Sequence, residues 1–132
     1  MPSHRHAALI VENDGDFREA LQVLVESTGL DAVGVHRGEE AIQHLRAEPR
    51  RWCIVVLDWW LADMTGEEFL RQKNADRRTA DICVALVTGD AHVRAAAERI
   101  GVDYFLLKPV DPEVVLGLLS HHCTSPAATG TT

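Results

Sequence analysis

The chain has 132 residues, a formal net charge of −7, 46% hydrophobic residues and 25% charged residues. That length suits one domain with a core of its own and leaves little room for a second. The negative balance argues against broad non-specific nucleic-acid binding, which needs a basic face to displace counterions. The apolar run Trp52 to Leu57 is far too short to cross a bilayer, so no membrane span is expected. The first six residues lead into a short apolar run that a charge soon ends, unlike a secretory signal. A cytoplasmic protein is the expectation. Cys53, Cys83 and Cys123 form no C-x-x-C. Because Cys53 and Cys83 lie in apolar runs, buried reduced thiols are expected.

Ala7 to Val11 is a continuous apolar run, as expected of a strand buried on both faces. Asn13 or Asp14 can cap the helix that follows. In that helix Phe17, Ala20, Leu21, Leu24, Val25 and Thr28 recur at three- and four-residue spacing, and Gly29 stops it. Leu30 to Val35 reads as a second strand. Gly38 to Ala47 reads as a second helix with Ala41, Ile42 and Leu45 inward, ended by Pro49. Trp52 to Leu57 is a third strand. Thr65-Gly66-Glu67-Glu68 has the form of a capping box and opens a third helix through Phe69 and Leu70. Ile82 to Val87 is a fourth strand, and Ala91 to Ile100 a fourth helix ended by Gly101. Tyr104 to Leu107 is a fifth strand. Asp111-Pro112 starts a fifth helix with Val114, Val115, Leu118 and Leu119 inward. The domain is expected to span residues 1–123. The small, polar stretch 124–132 is expected to be a disordered tail or linker.

Strands alternating with helices imply an α/β fold with a doubly wound parallel sheet. Ligands of such sheets sit at the carboxyl ends of the strands. Those ends carry Glu12-Asn13-Asp14, then Asp58, then Thr88-Gly89-Asp90, then Lys108-Pro109. Carboxylates a few ångströms apart repel by roughly 4 kcal/mol per pair at an effective dielectric near 20. A lysine or a hard cation such as Mg²⁺ relieves that repulsion. A carboxylate beside both can attack phosphorus while they stabilise charge on the transferring oxygens.

These stretches resemble the receiver domains of response regulators and hybrid sensor kinases. The matching segments are Leu9 to Asp14, Val56 to Gly66, Leu86 to Gly89 and Phe105 to Pro109. They stand in order along residues 7 to 120. The resemblance implies a flavodoxin-like (βα)5 sandwich with strand order 2-1-3-4-5. It implies that Asp58 accepts a phosphoryl group from a histidine kinase or a histidine phosphotransfer protein. Glu12, Asn13, Asp58 and the Trp60 carbonyl would hold Mg²⁺. Thr88 and Lys108 would bind the phosphoryl oxygens. Phe105 stands at the switch aromatic position and would turn as Thr88 moves. The peptide bond before Pro109 is typically cis in this family. The partners implied are that phosphohistidine donor and a downstream effector protein. The chain would be a monomer or a weak dimer through the helix 4–strand 5–helix 5 face. It would be a signalling domain and not an enzyme acting on other substrates.

Three features depart from the family pattern. Asn13 replaces the usual second Asp of the acidic pair, which should weaken Mg²⁺ binding by about 1–2 kcal/mol. Asp14 could compensate by turning inward. Ala62 stands where the family usually has Pro. Trp60, two residues after Asp58, should screen an acyl phosphate from water and slow its hydrolysis. Asp90, two residues after Thr88, borders the same place and could orient water instead. Trp59 reads as core.

The alternative is a pseudo-receiver, an interaction module of the same fold that works without phosphate. A dehalogenase-type hydrolase would need an acid where Trp60 stands. A flavodoxin-type nucleotide site would need a hydroxyl- or glycine-rich loop where Glu12 and Asp14 stand. His121 and His122 are adjacent and cannot share one helix face, so the histidines read as solvated or helix-end residues. No effector module is expected within these residues after the fifth helix. The expectation is therefore a stand-alone receiver or the receiver end of a longer hybrid kinase.

Overall fold

The computed structural model describes residues 6–123. The expected tail, residues 124–132, lies outside the described residues. The elements are β1 (Ala7–Val11), α1 (Gly15–Glu26), β2 (Asp31–Val35), α2 (Gly38–Ala47), β3 (Trp52–Leu57), α3 (Gly66–Ala75), β4 (Cys83–Thr88), α4 (Arg94–Ile100), β5 (Tyr104–Leu107) and α5 (Pro112–His122). The strands form one sheet in the order β2-β1-β3-β4-β5. Every pairing is parallel.

The apolar runs of β1 and β3 are buried along their whole length because helices cover both faces. Alternate residues go to opposite layers. Leu9, Val11, Val55 and Leu57 pack with Ala41, Ile42 and Leu45 of α2, Phe69 and Leu70 of α3, and Ala97 of α4. Ala8, Ile10, Ile54 and Val56 pack with Leu21 and Val25 of α1 and Val115 and Leu119 of α5. Each fully buried aliphatic side chain contributes about 1.5–3 kcal/mol relative to an exposed one. Local signals set the helix ends. Asp14 caps α1 by accepting from Asp16 N at 3.1 Å and Phe17 N at 3.3 Å. Thr65 Oγ1 accepts from Glu68 N at 3.3 Å. Asp111 accepts from Glu113 N at 2.9 Å, with Pro112 next. Gly101 ends α4 at φ 101°, a left-handed turn that favours glycine.

Several sequence expectations need correction. The fourth helix is not continuous from Ala91, because a 3₁₀ turn over Ala91–Val93 precedes α4. Val93 N donates to Asp90 O, three residues back, at 3.4 Å, the tighter bonding of a 3₁₀ turn, while Asp90 caps it by accepting from His92 N at 2.9 Å. β2 starts at Asp31 and β4 ends at Thr88, one residue from the expected bounds. Val114 points to solvent, because Val115 and Leu119 define the buried stripe of α5. Ala20 and Thr28 are likewise exposed beside the buried Leu21 and Val25.

The cysteines are the largest correction. Cys53 and Cys123 form a disulfide, with Cα atoms 5.3 Å apart and a sequence separation of 70. Both face the layer between the sheet and α1/α5. Cys53 is the second residue of β3 and Cys123 caps α5, so the end of that helix returns to the amino edge of the sheet. Cys53 Sγ also lies 3.2 Å from the Ala7 carbonyl oxygen, an acceptor for the reduced thiol. Cys83 is free. Burial, with Asp103 beside it, pushes its thiol up to about 12.

Candidate functional site

Glu12, Asp58 and Lys108 continue directly from β1, β3 and β5, and Thr88 is the last residue of β4. Backbone bonds tie these strand ends to their neighbours in the sheet. Glu12 N donates to Val35 O at 2.9 Å, Asp58 N to Val11 O at 2.9 Å and Lys108 N to Thr88 O at 2.8 Å. The Lys108–Pro109 peptide bond is cis.

Lys108 Nζ lies 2.8 Å from Glu12 Oε1 and 3.7 Å from Asp58 Oδ2. One ammonium therefore serves two carboxylates. The Lys108 side chain is 23% exposed and that of Glu12 1%, so the cluster opens on the lysine side. Lys108 Nζ also sits 5.5 Å from the centre of the Phe17 ring. Glu12 Oε2 accepts from Asp14 N at 3.1 Å, and Arg18 Nη1 donates to the Glu12 carbonyl at 2.7 Å. Burial, then the hydrogen bond shared with Asp58, raises the Glu12 carboxyl to about 7, against the opposing pull of Lys108.

Thr88 is fully buried, and its Oγ1 accepts from Asp90 N at 3.2 Å. Asp90 bonds His92 through both His92 N and Nδ1, the latter at 3.2 Å. The bond from His92 N, with smaller help from the His92 and Trp60 side chains, holds the Asp90 carboxyl below its usual range. Trp59 is buried as expected, whereas Trp60 is 51% exposed. Trp60 N reaches Asp58 Oδ1 at 3.4 Å. Phe105 is half-buried against the α2/α3/α4 layer. The Arg94 guanidinium lies 5.1 Å from the centre of its ring.

Asn13 is exposed at the mouth of the site. Asp14 does not turn inward to replace the missing acid, because its carboxylate is committed to capping α1. Among the described residues no group of three His, Cys, Asp or Glu converges on one point. The carboxylates brought together here are those of Glu12 and Asp58, with Asn13 and Trp60 next to them in sequence. Such a donor set suits Mg²⁺, which needs few protein ligands and keeps water.

The sequence profile described as "Response regulator receiver domain" matches residues 8–120. The chain belongs to the response regulator receiver domain family. It is 34% identical over 109 residues to the transcriptional regulatory protein FixJ of Azorhizobium caulinodans, covering 81% of this chain and 50% of that one. It is 26% identical over 113 residues to the phosphate regulon transcriptional regulatory protein PhoB of Pseudomonas aeruginosa, covering 84% of this chain and 48% of that one. The receiver domain thus spans about half the length of these relatives. The two-component response regulator ORR5 of rice is 28% identical over 115 residues, covering 85% of this chain and 84% of that one. A response regulator receiver protein from Pseudomonas putida superposes with a TM-score of 0.79 at 33% identity, covering 91% of this chain and 99% of that one. No helix of the receiver domain, among the described residues, is long and apolar enough to cross a membrane.

Sequence reasoning missed Arg18 and Asp63. Arg18 braces the Glu12 carbonyl from inside α1. Asp63 accepts from Gly38 N at 2.7 Å and Glu39 N at 3.0 Å. Arg18 carried a weak signal as the polar residue beside Phe17 on the first turn of α1. A pairing of Asp63 with a helix start 25 residues earlier has no local signature.

Proposed function

We propose that this receiver domain takes a phosphoryl group from a partner histidine onto Asp58. The observation that carries the reading is Lys108 Nζ set between Glu12 and Asp58, with the Thr88 strand end alongside. An Asp58 carboxylate oxygen would attack the phosphorus of a phosphohistidine. The new O–P bond forms as the N–P bond breaks, and the imidazole leaves with its electron pair. Lys108 would neutralise charge on a transferring oxygen, and the Thr88 hydroxyl would bond another. Glu12, Asn13, Asp58 and the Trp60 carbonyl would hold Mg²⁺. The ion supplies charge neutralisation at the phosphoryl oxygens. Trp60 would cover the acyl phosphate against water, and Asp90 would hold the far rim. Phe105 would turn inward as Thr88 engages the phosphate. An effector protein would read that change on the α4–β5–α5 face, which could also carry a weak dimer.

The domain would act in the cytoplasm as a signalling module, with no substrate beyond its own aspartate. Phosphotransfer from candidate kinases or phosphotransfer proteins tests the reading. Label should appear on the wild type and not on Asp58→Ala. Equal labelling of both would refute it. A second reading, a phosphate-independent interaction module, draws on the short acidic set around Glu12. A wild type that binds no beryllofluoride with Mg²⁺ favours that reading.

A further inference from the structure

We infer that Asp63 is a positioning residue. Its carboxylate, seated on the first backbone N–H groups of α2, fixes the loop that carries Trp60 beside Asp58. The inference rests on the phosphoacceptor reading and adds a residue that the reading does not contain.

The loop between β3 and α3 is closed on itself. Trp60 and Thr65 form an antiparallel bridge. Leu61 N donates to Met64 O at 3.2 Å, and Gly66 N donates to Trp59 O. A loop braced in this way moves as a unit, so its tip and its base are coupled. Asp63 is near the tip, and Trp60, with its carbonyl and its exposed ring, is at the base.

The tip is anchored from outside. Asp63 Oδ1 accepts from Gly38 N at 2.7 Å, and Oδ2 accepts from Glu39 N at 3.0 Å. The residue at the start of α2, Arg37, makes no capping side-chain bond of its own. The helix therefore takes its cap from the loop, and the loop takes its position from the helix. α2 is a firm base, because Ala41, Ile42 and Leu45 are buried in the core. Gly38 lies against the same loop: a Cβ there would sit 2.5 Å from Met64 Sδ and 2.6 Å from Met64 Cγ, so a larger residue would require the flexible Met64 side chain to move aside. Partial burial acts upward on the Asp63 carboxyl, but the bonds from Glu39 N and Gly38 N outweigh it and hold the group below its usual range. The anchor therefore stays charged at neutral pH.

A residue that merely stabilised α2 would have the same contacts, so the test separates the two roles. Wild type, Asp63→Ala and the double variant Asp63→Ala/Arg37→Asp are compared. The second change gives α2 a local cap without tying the loop. Two quantities are read on each: the thermal midpoint, and the affinity for beryllofluoride with Mg²⁺ followed by tryptophan fluorescence. The expected result is a lower midpoint and roughly five- to tenfold weaker binding in Asp63→Ala, since small misplacements at such sites cost rate and affinity steeply. The added cap should restore the midpoint and leave the binding weak. Unchanged binding in Asp63→Ala, or binding that returns together with the midpoint, would overturn the inference. Should Asp63→Ala not fold, Asp63→Asn, which keeps one acceptor oxygen, is read in the same way. A wild type that binds no beryllofluoride would overturn the phosphoacceptor reading and this inference together. Wild-type binding that Asp63→Ala matches would overturn only the latter.

Discussion

The two edges of the sheet each hold a lysine, buried at one and half-buried at the other, and they do so for opposite ends. At the amino edge Lys73 is 3% exposed, and its ammonium donates to the Ala80 carbonyl at 2.8 Å and Asn74 Oδ1 at 3.2 Å. Burial lowers its proton affinity, with Asp103 and Asp81 acting the other way. Its bonds go to neutral oxygens of the α3–β4 connection, so it holds that connection shut. At the carboxyl edge Lys108 meets two carboxylates and keeps an open side. A buried lysine bonded to neutral oxygens closes a fold. One that neutralises acids and still faces solvent leaves room for a further charged group. The amino edge also holds the Cys53–Cys123 link. The amino edge thus carries a buried lysine and a covalent link, and the carboxyl edge the cluster of Glu12, Asp58 and Lys108.

Four outcomes would break or sharpen this contrast. The largest concerns the disulfide. Its loop spans 70 residues, so reduction should cost about 4 kcal/mol by the chain-entropy account. Melting with and without a thiol reductant should differ by on the order of 10 °C. Beryllofluoride affinity, measured well below the melt, should not change. Next, Lys108→Ala should cut the rate of phosphotransfer by on the order of 10²–10³-fold, the usual cost of losing one donor to developing charge. Its melting point should move less than that of the Lys73 variant. Third, Lys73→Ala leaves the Ala80 carbonyl without its donor and should destabilise by about 2–3 kcal/mol in urea. Phosphotransfer by the protein that remains folded should be normal, and a loss matching that of Lys108→Ala would end the division of labour.

The smallest effect is a pH slope in chelator-treated protein. The folded state holds the Glu12 proton up to about 7, whereas the free acid gives it up near 4.5. The folded form binds more protons in that window, so stability should fall as pH rises from about 4.5 to about 7. Asp63, Asp76 and Asp90 shift downward from 3.8. Their contribution is present above that value and is lost only as pH falls below it, outside the Glu12 window. Denaturant midpoints for wild type and Glu12→Gln should differ in slope across that range. Parallel curves would show that Glu12 does not carry it.

The parts of this fold visible in the sequence were those with local causes. The runs Ala7 to Val11 and Trp52 to Leu57 read as strands buried on both faces, and Asp58 stands directly after the second, whereas Lys108 follows the half-buried edge strand Tyr104 to Leu107. Thr65 and Asp111 announced their helices through their own neighbours. What escaped depends on distant partners or on fine rotation. Cys53 finds Cys123 only once α5 has crossed back over the sheet. Asp63 reaches a helix start on another element. Val114 and Val115 differ by a third of a turn, which periodicity over so apolar a helix could not resolve. Asp14 looked equally able to serve the site or the helix, and the two amides of the first turn of α1 decided it.

The stacking of Arg94 on Phe105 carries a consequence of its own. Arg94 also pairs with Glu98 on the same exposed ridge, at 3.1 Å. Were the ring to leave its place, the guanidinium would lose its apolar seat and swing toward water or toward a visiting acidic group. A hydrophobic rearrangement inside the domain would then be felt outside it as relocated positive charge, legible to a partner that never touches the ring.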